Sequence, residues 1–179
     1  WDMAMERLDG AIAYNGRSYT ALNLKGSVLK SLGRDAEARQ CFDRVLADDP
    51  INAYALHETA SYDDFRRFMR EQPESYLELA IQYWHNGFTD TAVNLLKEID
   101  ARVPYPTVKM YLGYLTGEDR YFGEALSLPV GYCAPFRLET IPVLEKAKSV
   151  CPDSSLPYYY LGNLYYNIQP DNAIREWEK

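Results

Sequence analysis

The chain has 179 residues, is 47% hydrophobic and 25% charged, and carries a net charge of −7. That composition excludes a disordered chain and supports one sizeable folded unit or a run of repeats. The acidic balance argues against nucleic acid or an anionic membrane as main partner, and no signal peptide or membrane span is visible.

In chain order, residues 1–14 read as the second helix of a repeat whose first helix is missing, closed by a turn at Asn15-Gly16. Ser18–Ser31 and Asp35–Ala47 form a complete helix pair, with Gly33 just past the first helix, where a left-handed residue is wanted. Residues 51–72 read as a shortened repeat. Ser61 and Asp64 are spaced to cap a short second helix there, and a single bent helix is the alternative. Pro73 to Pro104 gives two amphipathic helices joined at Asn86-Gly87, with Tyr76, Leu79, Ala80 and Tyr83 on one stripe and Ala92, Leu96 and Ile99 on the other. Tyr105–Thr116 is a first helix with Leu112-Gly113 at its packing positions. A short helix over Glu118–Ser127 and a Pro- and Gly-rich loop at 128–136 then depart from the pattern. Tyr132 and Phe136 are expected to pack on the array if that loop is fixed. Arg137–Val150 resumes as a second-type helix, with Pro142 tolerated near its first turn. Ser155–Asn167 is a tyrosine-dense first helix, and Pro170 opens the last one.

One spacing unites these elements: a small residue, a large one four later, and an apolar one three after that. It occurs at Ala4/Leu8/Ala11, Ala38/Phe42/Val45, Ser61/Phe65/Phe68, Ala92/Leu96/Ile99 and Thr140/Leu144/Ala147, and begins again at Ala173/Trp177. Pro50, Pro73, Pro104 and Pro152 close four of them at the same distance. The pattern resembles the tetratricopeptide repeat (TPR), whose period is about 34 residues. Tyr19–Pro50 matches best, through Leu22, Gly26, Leu29, Gly33, Ala38, Phe42, Val45 and Pro50, and departs at Lys25. The resemblance implies an all-α fold: a right-handed solenoid of antiparallel helix pairs with one shortened repeat and one loop insertion. Its parts are a half-repeat 1–16, repeats at about 17–50, 51–72, 73–104 and 105–152 (with the insertion at 118–136), and a partial repeat 153–179. The chain starts and stops inside helices, so it reads as part of a larger protein, and a half-repeat exposed at each end predicts end-to-end self-association.

Catalytic chemistry finds little footing. His57 and His85 lie in no HExxH motif, no Cys/His cluster has zinc spacing, and there is no GxGxxG and no P-loop. Cys133 lacks a local base, and loop packing is its better reading. The adjacent carboxylates Asp48-Asp49 and Asp63-Asp64 point in different directions on a helix and make poor acid/base pairs. Arg66, Arg67 and Arg70 are the one candidate basic patch, better read as a solvated helix face. Three cysteines without CxxC spacing suggest free thiols and a reducing compartment, here taken as the cytoplasm. No cofactor, no metal and no enzymatic activity are expected.

The tyrosines say more. TPR first helices line a concave groove, and in this register the groove positions are Asn23, Ser27, Leu77, Ile81, Trp84, Met110, Tyr114, Tyr159, Asn163 and Tyr166. Tyr and Trp combine large contact area with a hydrogen-bonding edge, which suits an interface. Repeat-core packing with some exposed tyrosine is the alternative for any one of them. The TPR clamp for acidic peptide C-termini uses Lys and Asn, and Asn23 and Ser27 at two of its positions do not support it here. The runs GYCAPFRLETIPVLEKA, LPYYYLGNLYY, AIREWE and FRRFMREQPESYLELAIQY also resemble bacterial proteins in which a galactose-mutarotase-like domain precedes a TPR array, with Ala134 and Phe136 departing in the loop. That resemblance implies a carbohydrate-related setting. The resulting expectation is a non-catalytic scaffold that binds a protein or peptide, or an adjacent domain of its own chain, in the groove. The alternative is an accessory part of a carbohydrate-active enzyme that contributes to its sugar site, or direct stacking of sugar on Trp84 or Tyr158–Tyr160.

Overall fold

The computed structural model describes residues 1–129 and 135–179, and the described residues are all helical, without strands. They form two compact units, Trp1–Arg70 and Glu71–Lys179. The first holds α1 (Asp2–Tyr14), α2 (Tyr19–Ser31), α3 (Asp35–Asp48), α4 (Ala53–Thr59) and α5 (Tyr62–Met69). The second holds α6 (Pro73–His85), α7 (Thr89–Asp100), α8 (Pro106–Thr116), α9 (Arg120–Leu126), α10 (Thr140–Val150), α11 (Leu156–Tyr165) and α12 (Pro170–Trp177).

The pairs set a small residue of one helix against a large one of the next. Phe42 of α3 lies against Gly26 of α2, Phe122 of α9 against Gly113 of α8, and Trp177 of α12 against Gly162 of α11. In each case a Cβ on the glycine would overlap the ring. The first two complete pairs also turn the same way. Arg34 N donates to Leu29 O and Phe88 N to Tyr83 O, both at 2.9 Å, across Gly33 and Gly87 at φ 71° and 86°. This six-to-one bond satisfies a carbonyl that the helix end leaves open, and its turn residue needs the left-handed region that glycine enters freely.

The interior follows the spacing in full at three of its six occurrences. Ala38, Phe42 and Val45 are buried, as are Ala92, Leu96 and Ile99, and Leu144 and Ala147 beside Thr140. Four members fall elsewhere. Ala11, Ser61 and Trp177 are exposed, and in α5 Met69 rather than Phe68 joins Phe65 in the core. Of the two expectations for 51–72, the structure has two short helices. Ser61 Oγ accepts from Asp64 N at 3.2 Å and so starts α5 as a separate element. Arg66 lies over the Tyr62 ring and Arg67 pairs with Asp64, so these arginines dress their own helix.

The segment 118–136 does more than depart from the repeat. Its helix α9 packs on α8, puts Phe122 on Gly113, and buries Tyr121 and Ala125. It thereby does for α8 what α7 does for α6. The helix α10, expected to be that partner, instead packs on both α8 and α11. Lys109, nearly buried in α8, ties the neighbours together through Asp100 at 2.9 Å and Glu124 at 2.8 Å. Lys148 of α10 does the same for α12 through Glu176 at 2.9 Å, with the Tyr158 ring 4.9 Å away.

Candidate interaction groove

In the first unit the expected groove positions are taken up by the fold itself. Asn23 Nδ2 donates to Asn52 Oδ1 at 3.0 Å, and Ser27 Oγ lies 2.8 Å from Tyr54 Oη. Both residues are about 5% exposed or less, under the short helix α4. They hold α4 on α2 and present nothing to a partner. The shortened repeat explains this: α4 is only seven residues long, and this polar seam fixes it in place.

In the second unit the first-helix face survives. Leu77, Ile81 and Trp84 follow one another along α6 at i, i+4 and i+7. Trp84 is partly exposed and meets Tyr114 of α8 edge-on at 5.7 Å, with Tyr111 at 6.2 Å and His85 at 4.9 Å. This aromatic cluster is held from behind. Tyr111 Oη lies 3.0 Å from Thr140 Oγ1, and burial pushes its phenol up to about 12. Met110, by contrast, is wholly buried and belongs to the core, and Ile81 is 3% exposed.

Lower on the same face, Leu77 and Ile81 line a small cavity of about 30 Å³ with Glu74, Glu78, Tyr105, Thr107 and Thr140. Pro135, Phe136 and Arg137 close it. Arg137 donates to both Glu78 carboxylate oxygens, through Nε at 2.6 Å and through Nη2. That pair raises the Arg137 pKa above its usual range. Tyr105 Oη donates to Glu74. The expected packing of the loop is met in part: Phe136 lines the cavity, yet its side chain remains largely in solvent. Tyr132 lies outside the described residues, as does Cys133.

The remaining groove candidates gather elsewhere. Tyr159 and Asn163 line a recess of about 690 Å³ with Tyr158, Trp177, Ser154 and Ser155. Tyr159 is 50% exposed, and its carbonyl accepts a bond from Trp177 Nε1 at 3.4 Å. Tyr166 is exposed against Trp177, ring centres 5.8 Å apart. The ten expected residues therefore divide into a buried seam (Asn23, Ser27), a face on α6 and α8 (Leu77, Ile81, Trp84, Tyr114), a core residue (Met110), a recess at α11–α12 (Tyr159, Asn163) and the exposed Tyr166 beside Trp177. Glu78, Arg137 and Thr140 were not anticipated. Glu78 left a local trace, lying four residues after Glu74 on the face of Leu77 and Ile81, and Thr140 was legible only as a packing residue of its triplet.

Among the described residues no three His, Cys, Asp or Glu side chains gather as a metal site. Burial raises the thiol pKa of both Cys41 and Cys151, which lowers their thiolate fraction. His57 meets the Phe65 ring edge-on at 5.0 Å. Among the described residues no helix is long and apolar enough to cross a membrane.

No protein-family model matches the chain, and no curated protein matches it. Among solved structures it is similar to YrrB, described as a TPR protein with an unusual peptide-binding site, at 16% identity and a TM-score of 0.37, over 98% of this chain and 94% of that one. It is also similar to MamA in two structures. One has 15% identity and a TM-score of 0.27 over 97% and 82% of the respective chains; the other has 17% and 0.29 over 89% and 88%. Superpositions this loose leave the fold assignment to the chain's own helix pairing.

Proposed function

We propose that the chain is a non-catalytic interaction scaffold, and that the α6–α8 face of its second unit takes a protein, a peptide or an adjacent domain of the same polypeptide. The observation that carries this reading is the partly exposed Trp84–Tyr114 cluster on the first-helix face that also carries Leu77. Aromatic side chains lose little entropy on docking and supply large contact areas, so they dominate protein interfaces. The Cys41 and Cys151 thiols are free, which suits a reducing compartment such as the cytoplasm.

The test is to select binders from a random peptide library and follow their affinity by fluorescence. Trp84→Ala should weaken the selected peptides by roughly tenfold or more, as the loss of about 2 kcal/mol at an aromatic anchor requires. Selected peptides indifferent to both Trp84→Ala and Tyr114→Ala would dismiss this face.

A second reading, binding of sugar on behalf of a carbohydrate-active neighbour, is favoured by the α11–α12 recess. Its volume of about 690 Å³ falls within the range of small-ligand sites. The half-exposed Tyr159 ring offers a stacking platform near Asn163, Ser154 and Ser155. Calorimetric titration with mono- and disaccharides, repeated on Tyr159→Ala, tests it. Heat that persists in the variant, or none in the parent, removes the recess from consideration.

A further inference from the structure

The α6 face is partly occupied by the chain itself. Pro135, Phe136 and Arg137 lie over it on the way into α10. Arg137 makes a two-pronged contact with Glu78, the geometry by which a guanidinium recognises a carboxylate most selectively. Between this segment and the helix there remains a cavity of about 30 Å³, room enough for a water molecule. The fit is close at the arginine and poor at the aromatic. Arg137 and Glu78 are each about a third exposed or less, while Phe136 is 72% exposed even though it roofs the cavity.

We infer that this is a peptide subsite for an apolar residue followed by arginine, held at present by the chain's own Phe136-Arg137, and that the partner of this face presents the same pair on a basic segment. The inference rests on the α6–α8 groove reading above. Three observations select that chemistry. The carboxylate that receives the arginine stands on the face where the aromatic cluster lies. Glu74 adds a second acid one turn away, and the whole chain is acidic. The resident aromatic leaves most of its surface in water, so a ligand that seats its apolar residue deeper gains burial the resident does not have. A single partly exposed ion pair is a weak tether, so exchange is feasible.

The probe is the capped pentapeptide Pro-Phe-Arg-Leu-Glu, the sequence of 135–139, titrated by two-dimensional NMR. Arg137→Ser frees Glu78 and should bind the probe at least tenfold more tightly than the parent chain, with shifts at the Leu77 and Ile81 amides. The peptide with Ala for Arg should not bind. Glu78→Arg, a change at a partly exposed position, expels Arg137 without touching the segment. It should refuse the Arg probe and accept Pro-Phe-Glu-Leu-Glu, so it carries the test if Arg137→Ser does not fold. The inference is overturned by a folded Arg137→Ser that ignores the probe at millimolar concentration, by equal binding of the Ala peptide, or by equal binding to the parent. It is also overturned if light scattering shows Arg137→Ser pairing with a second copy in place of the probe. Failure here with library peptides still dependent on Trp84 removes the subsite and leaves the groove. Loss of the Trp84 dependence removes the groove itself.

Discussion

Replacing Gly26 by alanine tests the small-against-large packing directly. In an exposed helix interior, alanine for glycine stabilises by about 1 kcal/mol. Gly26 is helical, so that gain applies, but a Cβ there would meet the Phe42 ring at 2.5, 2.6 and 3.0 Å. Carbon pairs prefer separations of about 3.5–4.0 Å, so the ring must move by about 1 Å. Phe42 is 2% exposed and has nowhere slack to go. Overpacking of this kind costs about 1–3 kcal/mol, and so short a contact belongs at the upper end. The net expectation for Gly26→Ala is a loss of about 2 kcal/mol once the helix gain of about 1 is subtracted. Gly10, in α1 of the same unit, has no neighbour within 4 Å of its virtual Cβ. Gly10→Ala should therefore stabilise by about 1 kcal/mol. Native-state hydrogen exchange at the Leu22 and Val45 amides keeps the reading local to this unit, where a global melt would mix two units. Phe42→Leu added to Gly26→Ala should recover at least about 1 kcal/mol relative to the sum of the single changes. If Gly26→Ala proves as stable as the parent, or the two changes are simply additive, the pairs are not held by this contact.

Four further changes follow from other contacts. Ser61→Ala removes the cap of α5 and should cost about 1 kcal/mol, read as faster exchange at Asp64 and Phe65. Lys109→Ala strands the half-buried Asp100 and unties α9, for an expected loss of about 2–3 kcal/mol in urea unfolding. The Tyr111 phenol has a folded pKa of about 12 against about 10 unfolded, so the unfolded chain releases its proton first. Its contribution is intact below pH 10 and declines as pH rises towards 12, by at most about 2–3 kcal/mol. Tyr111→Phe should flatten that alkaline decline, measured as the difference in Tm between pH 9 and pH 11.5. Ile174 and Trp177 are exposed on α12, and we expect them to drive concentration-dependent self-association that Ile174→Lys reduces in sedimentation velocity.

Helix positions were legible because they depend on local spacing. Ala92/Leu96/Ile99 reads as one face whatever lies opposite, and it is buried in full. Partnership is a different matter. Thr140, Leu144 and Ala147 are buried as their spacing demands, but against α8 and α11 together rather than as the paired second helix of α8. Periodicity reports that a helix has an apolar face and is silent about what covers it. The separation of Gly113 from Phe122 is nine residues, against sixteen for Gly26 and Phe42. A register set by the longer spacing therefore passes over α9. Asn23 and Ser27 illustrate the same limit, since the groove register places them correctly on α2 while Asn52 and Tyr54, about thirty residues on, close over them. The Glu78–Arg137 pair spans 59 residues and leaves no periodic trace at all.

The division of labour between the two units follows from these closures. In the first, the short helix α4 is bonded to α2 through Asn52 and Tyr54, which take the Asn23 amide group and the Ser27 hydroxyl, while Asn23 Oδ1 is buried without a hydrogen-bond partner. A ligand there would have to break buried hydrogen bonds, each of which is costly to leave unmade. In the second unit the occupant of the α6 face is a three-residue segment tied by one partly exposed ion pair, next to aromatic rings that remain accessible. Displacing it exchanges one carboxylate–guanidinium contact for another of the same kind, so the electrostatic cost nearly cancels and the apolar contact decides. Salt separates the two contributions. Raising ionic strength from 0.01 to 1 M shortens the screening length from about 30 to about 3 Å. It should weaken the Arg probe on Arg137→Ser, where Glu78 has no internal competitor, more than on the parent chain, where resident and probe are screened alike. Equal salt dependence in the two proteins would mean that Arg137 does not compete for Glu78.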